Sequence, residues 1–174
     1  MNQTRPGFLA ALPGRSRLAA AVLAGVVAGT LATALQMLMW WLDATPVLET
    51  LLRDARLTAA IVMGRSALAS PPAWRWDILL IATLIHFGLC VAYAAIAAPW
   101  VMRLGAMPAL LAGAVYGLAI YGVNLHGFTA VFPWFRVSRG WVSLVVHVVF
   151  GITLAGACRF LASPGARGWA PPGN

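Results

Sequence analysis

Among the polar side chains within the long apolar stretches of this 174-residue chain, six are its candidate chemical groups. They are Gln36, His86, Tyr121, Asn124, His126 and His147, and they include every histidine of the sequence. Neutral imidazoles are common ligands of Zn²⁺ and Cu²⁺. A facing pair such as His86 and His147 could also bind a haem iron axially. The histidines are therefore candidate ligands for zinc, copper or haem.

The same side chains have a second interpretation that needs no ligand. Polar side chains in a membrane helix bundle form hydrogen bonds between helices, worth about 0.6–2 kcal/mol each. A third interpretation is that they handle protons or a solute. No acid lies within an apolar run to orient a metal-binding imidazole, although Asp43 or Asp77 could reach in from an edge. Structural bonding is the leading interpretation, and the other two stay open.

Enzymatic catalysis is poorly matched by the motifs of the chain. The sequence contains no GxSxG, no HExxH and no glycine-rich phosphate loop. Ser143 lies four residues before His147, on the same helical face, but no acid within a span completes a triad. We therefore expect a protein that is not an enzyme.

The elements that must position these residues are four runs without a charged side chain. The runs are 18–42, 78–102, 104–135 and 140–158. Only 9% of the residues are charged, against about 25% in soluble domains, and about 20 apolar residues suffice for a membrane-spanning helix. The runs do not alternate as barrel strands do. We predict an all-α membrane protein with four transmembrane helices.

A different pattern occupies the segment between the first two runs. Pro46 suits the first turn of a helix, Thr45 suits its N-cap and Gly64 suits the position after its end. One face of this helix would be apolar, through Leu48, Leu51, Leu52, Ala55, Ala59 and Val62. The other face would hold Glu49, Arg53 and Arg56. We predict an amphipathic helix at 46–63, lying on the membrane surface or folded over the bundle.

The predicted organisation follows from these elements. Residues 1–17 form an N-terminal arm, residues 18–162 form the four-helix transmembrane domain that includes the amphipathic helix, and residues 163–174 form a disordered tail rich in Gly and Pro. Because four crossings return the chain to its starting side, both termini share one side of the membrane. The opposite side is called the outer side below, and all three histidines fall in the outer half.

An internal repeat relates the helices in pairs. Residues 24–40 align with 112–128 at a constant offset of 88, and an offset of 61 pairs His86 with His147. We therefore predict two parallel helical hairpins. In the first alignment the motif Gly-x-x-x-Gly occurs twice, as Gly25/Gly29 and Gly113/Gly117, which permits close helix contact. We expect these glycines where the first and third spans cross or where protomers meet.

Charge and cysteine content restrict the partners and the orientation. All twelve basic residues are arginine, and the formal charge is +8. Because the arginines flank apolar runs, lipid headgroups and topology explain them better than nucleic acid does. The arginines near the N-terminus favour cytoplasmic termini. Cys90 and Cys158 lie within predicted spans without a CxxC motif, so we expect structural thiols.

A resemblance to a known family rests on several short motifs. They are LAGVVAG at 23–29, HFGLCVAY at 86–93, LAGAVYG at 111–117, NLHGF at 124–128, PWF at 133–135, and His147. In these the chain resembles the YagU-like family of small bacterial inner-membrane proteins, over residues 20–160. It is also similar to short proteobacterial proteins labelled sodium/proline symporters. The first resemblance implies the bacterial inner membrane, and the second implies transport.

These observations lead to a functional expectation without a defined substrate. We expect a structural or accessory component of the bacterial inner membrane, in contact with lipid and able to form a homo-oligomer or join a larger membrane complex. The first alternative is a small transporter or channel-like subunit for a solute or protons. The second alternative is a haem- or metal-binding protein that uses His86, His126 and His147.

Overall fold

The protein is described by a computed structural model that covers residues 14–69 and 74–162. Five α-helices form the described part: α1 (Gly14–Leu42), α2 (Val47–Met63), α3 (Trp76–Val101), α4 (Ala106–Gly122) and α5 (Trp141–Ala162). No strand occurs in these ranges. The predicted tail at 163–174 lies outside the described residues, as do residues 1–13 of the predicted arm.

Four stretches are long and apolar enough to cross a membrane. They are Leu18–Leu42, Trp76–Val101, Ala106–Ala130 and Trp141–Leu161. Large apolar side chains on their outward surfaces are exposed, among them Leu31, Leu84 and Leu111, as expected where lipid replaces water as the solvent. The predicted all-α membrane fold with four spans is therefore confirmed.

The spans pack in a definite order. α1 lies between α3 and α5, and α4 packs along the far side of α5. α3 and α4 have little contact with each other, although they would form the fourth side of the bundle. The small side chains of Ala24, Ala28 and Ala94 are fully buried in the centre, which allows the helices to approach closely. The bundle is thus tight on three sides and loose on the side between α3 and α4.

The glycine stripes pack within the hairpins and do not meet each other. A Cβ atom placed on Gly25 would stand 2.8 Å from the carbonyl oxygen of Cys90 in α3. A Cβ atom on Gly113 would stand 2.5 Å from the carbonyl oxygen of Gly151 in α5. The expectation that these glycines mark a crossing of the first and third spans is therefore wrong. Each stripe instead joins the first helix of a hairpin to its second helix.

These two contacts are equivalent under the internal repeat. Gly113 is the repeat partner of Gly25 at the offset of 88, and Gly151 is the repeat partner of Cys90 at the offset of 61. The same backbone approach therefore occurs at the same place in both hairpins. α1 and α4 run toward the outer side, and α3 and α5 run back, so the hairpins are parallel. The predicted pair of hairpin repeats agrees with this geometry.

The helix between the first two spans folds over the bundle. α2 packs against α3, and the indole N–H of Trp134 donates to the carbonyl oxygen of Leu57 at 3.0 Å. Gly64 ends the helix with φ +74°, a conformation that glycine adopts without strain. The predicted faces of this helix need correction. Arg56, expected on the polar face, is buried with 7% exposure, whereas Leu48 and Val62, expected on the apolar face, are exposed.

The burial of Arg56 has a direct cause in its hydrogen bonds. Its guanidinium donates to the carbonyl oxygens of Ala67 and Ala69, at 3.1 and 3.0 Å. These carbonyls belong to the turn that follows α2, where residues Arg65–Leu68 form one 3₁₀ turn. The pattern of a helical face assigns arginine to the solvent side. It therefore does not predict that Arg56 links α2 to the turn that follows it.

The third span does not continue as a regular α-helix to its outer end. After Gly122 the chain forms a π-helical turn, Val123–Gly127, and then a 3₁₀ turn, Phe128–Ala130. A π turn adds a residue and rotates the side chains that follow it. Asn124 and His126 lie in this turn, so their directions differ from those that a straight helix would give them.

Candidate functional site

One cavity of about 730 Å³ lies in the outer half of the bundle. Its walls come from α1, α2, α3, the start of α5 and the segment between α4 and α5. Most of the lining is apolar, with Met37, Leu51 and Phe87 among the contributors. The polar side chains that line it include Thr33, Gln36, Asp54, His86, Asn124 and His147. Four of the six residues singled out in the sequence therefore share one chamber.

His86 reaches the cavity from α3 and contacts α1. The hydroxyl of Thr33 donates to the carbonyl oxygen of Gly29 at 2.9 Å. The hydroxyl oxygen of Thr33 lies 3.3 Å from Nε2 of His86. Because the hydroxyl proton points to Gly29, the Thr33 oxygen is left to accept, which favours the His86 tautomer that donates from Nε2. Sγ of Cys90 lies 3.8 Å from the same nitrogen. In that tautomer Nδ1 of a neutral His86 is an acceptor.

His147 reaches the cavity from α5 in the opposite tautomer. Its Nδ1 lies 2.7 Å from the carbonyl oxygen of Ser143. Since a carbonyl only accepts, Nδ1 carries the proton, and Nε2 keeps its lone pair. The ring of Tyr121 packs edge-on against this imidazole, with centroids 5.6 Å apart. Both cavity histidines thus offer one acceptor nitrogen when they are neutral.

Asn124 is connected to α3 by a tyrosine that sequence reasoning did not single out. The hydroxyl of Tyr93 donates to Oδ1 of Asn124 at 2.6 Å. The carbonyl oxygen of Tyr93 in turn accepts from the hydroxyl of Tyr116 at 3.0 Å. A signal was available for Tyr93, because it lies seven residues after His86 and so on the same helical stripe.

The acid of the cavity is also one that the sequence argument did not choose. Asp54 enters from α2, whereas Asp77 pairs with Arg75 at the start of α3 and Asp43 does not line the cavity. Burial raises the pKa of Asp54, and the ion pair with Arg53 at 2.8 Å opposes this rise. Neither Asp43 nor Asp77, the acids that could have reached in from an edge, lines the cavity, and Asp54 is the acid at its wall.

The remaining two predicted site residues lie outside the cavity. His126 is exposed, and its ring contacts Tyr121 with centroids 5.4 Å apart. Tyr121 therefore stands between His126 and His147. Within residues 14–69 and 74–162, no group of three or more His, Cys, Asp or Glu side chains could hold a metal ion. The three histidines, which the sequence offered as candidate zinc or copper ligands, therefore do not form such a group in the described part of the chain.

The hydroxyl of Ser143, the one candidate nucleophile, is used elsewhere. Ser143 Oγ donates to the carbonyl oxygen of Ser138 at 2.7 Å, and only the backbone carbonyl of Ser143 contacts His147. A serine nucleophile requires a hydrogen bond from its hydroxyl to the base. The pair is therefore arranged to orient an imidazole and not to activate a hydroxyl.

Comparisons of this chain with protein-family models, with curated proteins and with solved structures return no match.

Proposed function

We propose that this protein is a small accessory component of a membrane, and that it binds a small amphipathic molecule in the cavity of its outer half. The observation that supports the proposal most strongly is the composition of the cavity, in which apolar walls surround His86, His147, Gln36 and Asn124. Its volume of about 730 Å³ lies within the roughly 300–1,000 Å³ of typical ligand pockets. Apolar walls with a few converging polar groups suit a molecule that has an apolar part and a polar part.

The inner half of the bundle favours binding over conduction. Ala94, Ala97, Val101 and Leu154 are fully buried there, with 0% exposure. A channel-like subunit needs a continuous polar path, whereas these positions of the inner half are filled by buried apolar side chains. The cavity therefore acts in this proposal as a closed-ended site reached from the outer half. A transporter would need a second conformation that opens the inner half.

The proposal can be tested by native mass spectrometry after gentle extraction in mild detergent. The wild-type protein should carry a bound species of a few hundred daltons, as expected for the cavity volume. Ala55→Trp should lose it, because Ala55 lines the cavity from α2 and an indole there fills the space. Leu111→Trp is the matched control, since Leu111 is exposed on α4 and does not line the cavity. A wild-type protein without any adduct would contradict the proposal.

We further propose that the membrane is the bacterial inner membrane and that both termini are cytoplasmic, so the cavity opens toward the periplasmic half. The family resemblance supports the bacterial inner membrane, and the arginines near the N-terminus support this orientation. A reporter that functions only in the cytoplasm, fused after residue 174, should be active. Activity of a periplasm-specific reporter at the same position would reverse the orientation and leave the cavity itself unchanged.

A further inference from the structure

We propose, on the basis of the binding function above, that the ligand enters the cavity sideways from the lipid, between α3 and α4. The ligand would then be a membrane-dissolved amphiphile whose head group donates hydrogen bonds. Three features of the described residues support this inference: an aromatic pair that separates the two helices, a rim that is exposed within the membrane, and acceptor nitrogens inside.

The separation of α3 and α4 becomes clear when the two hairpins are compared. Where α1 and α5 pack closely, the core contains Ala28 and Leu154, both fully buried. Their repeat partners at the offsets of 88 and 61 are Tyr116 in α4 and Tyr93 in α3. The smaller side chains of Ala28 and Leu154 at the α1–α5 contact thus correspond to two large aromatic side chains between α3 and α4.

The two tyrosines hold the helices apart with side-chain contacts. Their rings meet edge-on with centroids 6.5 Å apart, and the hydroxyl of Tyr116 reaches the backbone oxygen of Tyr93 at 3.0 Å. Trp100 packs edge-on against Tyr116 at 5.6 Å. These rings occupy the space where helix backbones would otherwise approach. The gap is therefore a built feature of the fold.

The cavity reaches the gap between α3 and α4 one helical turn from Tyr93 toward the outer side. Leu89 lies four residues before Tyr93, on the same face of α3, and it lines the cavity although it is 40% exposed. Phe128, on the segment after α4, also lines the cavity and is 45% exposed. Leu89 is twelve residues past Asp77, about 18 Å along the helix at 1.5 Å per residue. That depth lies within a hydrocarbon layer of about 30 Å, so the rim opens to lipid.

The polar end of the cavity selects the head group. Neutral His147 offers Nε2 as an acceptor, and the favoured tautomer of neutral His86 offers Nδ1. The carboxyl group of Asp54 adds a further acceptor when it is ionised. An alcohol, phenol or amine can donate to these groups, whereas a carboxylate cannot donate and would face Asp54. The amides of Gln36 and Asn124, which also line the cavity, can both donate and accept. A hydrogen-bond-donating amphiphile is the class of ligand that fits best, because a carboxylate would find donors only in these amides and would face Asp54.

The test measures exchange of a pyrene-labelled dodecanol between lipid and the protein in nanodiscs, by energy transfer from tryptophan to pyrene. The double variant Tyr93→Leu, Tyr116→Ala places the Ala28 and Leu154 pair on the loose side and should close the gap. We expect association and dissociation both to slow by about tenfold or more. Because Tyr93→Leu also removes the hydrogen bond to Asn124 in the cavity, the rates and not Kd carry this test, and slower dissociation distinguishes a blocked route from weaker binding. Unchanged exchange rates would overturn the lateral route.

A second variant keeps the aromatic pair and blocks only the rim. Leu89→Trp should slow exchange as the double variant does, and Leu80→Trp is its control, because Leu80 is exposed on α3 but does not line the cavity. Pyrene-labelled dodecanoate should bind at least about tenfold more weakly than the alcohol, since it lacks the donor. Equal binding of alcohol and acid, or no binding of the alcohol, would overturn the ligand class. The native mass adduct tests the proposed function separately.

Discussion

Single glycines control how closely the two helices of each hairpin approach. A Cβ atom on Gly117 would stand 2.9 Å from Cα of Val148, and closer still to the carbonyl oxygen of His147. Real Cβ atoms essentially never come this near to backbone atoms. Because His147 lies in this contact, the same glycine also sets the position of a cavity histidine.

We predict that Gly117→Ala destabilises the protein. The added methyl group must push α5 away from α4, and overpacking of this kind costs about 1–3 kcal/mol. Gly122→Ala is the matched control on the same helix, since nothing lies within 4 Å of a Cβ atom there. That variant should be neutral or more stable by up to about 1 kcal/mol, because alanine favours a helix. Unfolding in mixed micelles of SDS measures both, and equal stability of the two variants would contradict the packing argument.

Hydrogen bonding at the residue scale also explains why the cavity histidines differ. His86 donates from Nε2 toward Thr33, whereas His147 donates from Nδ1 to a backbone oxygen of its own helix. The two histidines occupy equivalent positions in the repeat, yet His86 bonds to a side-chain hydroxyl and His147 bonds to a backbone carbonyl. Sequence equivalence therefore predicted their shared depth in the bundle but not their tautomers.

At the scale of elements, α2 is the piece that closes the cavity on the outer side. It contributes Leu51, Asp54 and Ala55 to the lining. Its position depends on bonds to other segments, from Trp134 to the carbonyl oxygen of Leu57 and from Arg56 to the turn after the helix. A short helix gains most of its stability from such tertiary contacts and less from its own propensity.

We predict that Arg56→Met loosens α2. The carbonyl oxygens of Ala67 and Ala69 lose a charged donor, and leaving a buried group such as that of Ala67 unsatisfied costs about 1–3 kcal/mol. Hydrogen exchange of the α2 amides should therefore become faster. Arg53→Met is the control on the same helix, because Arg53 is exposed and its pair with Asp54 is worth only about 0–1 kcal/mol. Similar hydrogen-exchange rates in the two variants would show that the hydrogen bonds of Arg56 do not stabilise α2.

At the scale of the whole molecule, the cavity depends on the number of membrane crossings. The segment around α2 and the segment after α4 must lie on one side, since both line the same chamber. If one of the four spans did not cross, the two segments would lie in different compartments. The topology is therefore a condition of every proposal about the cavity.

We predict that Ser66→Cys and Val137→Cys react with a membrane-impermeant maleimide from the same side. Both positions are exposed on the outer side, whereas the native Cys90 and Cys158 are buried. Arg103→Cys, in the exposed turn between α3 and α4, should react only from the other side. Labelling of Ser66→Cys and Val137→Cys from opposite sides would contradict the four-span fold.

Much of the fold was readable because the membrane imposes simple rules. A span must be long and apolar, so the four runs and their boundaries predicted the four spans closely. The repeat was readable as well, since equal spacing of Gly25, Gly29 and Gln36 with Gly113, Gly117 and Asn124 survives in the alignment. The helix predicted at 46–63 begins one residue later, at Val47, because Pro46 and not Thr45 takes the N-cap position, with no side-chain cap bond, and it ends before Gly64 as predicted.

Less of the site was readable, because contacts between helices depend on their rotation and order. The bundle brought together His86, His147, Gln36 and Asn124 but left His126 and Tyr121 outside the cavity. The π turn at Val123–Gly127 changes the directions of residues after Gly122. A helical pattern with 3.6 residues per turn contains no information about such a local insertion.

The sequence alone determined that this chain crosses a membrane four times as two related hairpins, because hydropathy and spacing are local properties that lipid reads directly. Only the tertiary structure decided that α1 packs against α5 while Tyr93 and Tyr116 keep α3 from α4. It also decided that Asp54, and not Asp43 or Asp77, meets the cavity. The physical reason is that lipid solvates every apolar helix face equally well, so the choice of partners depends on the shapes of side chains that meet only in the folded bundle.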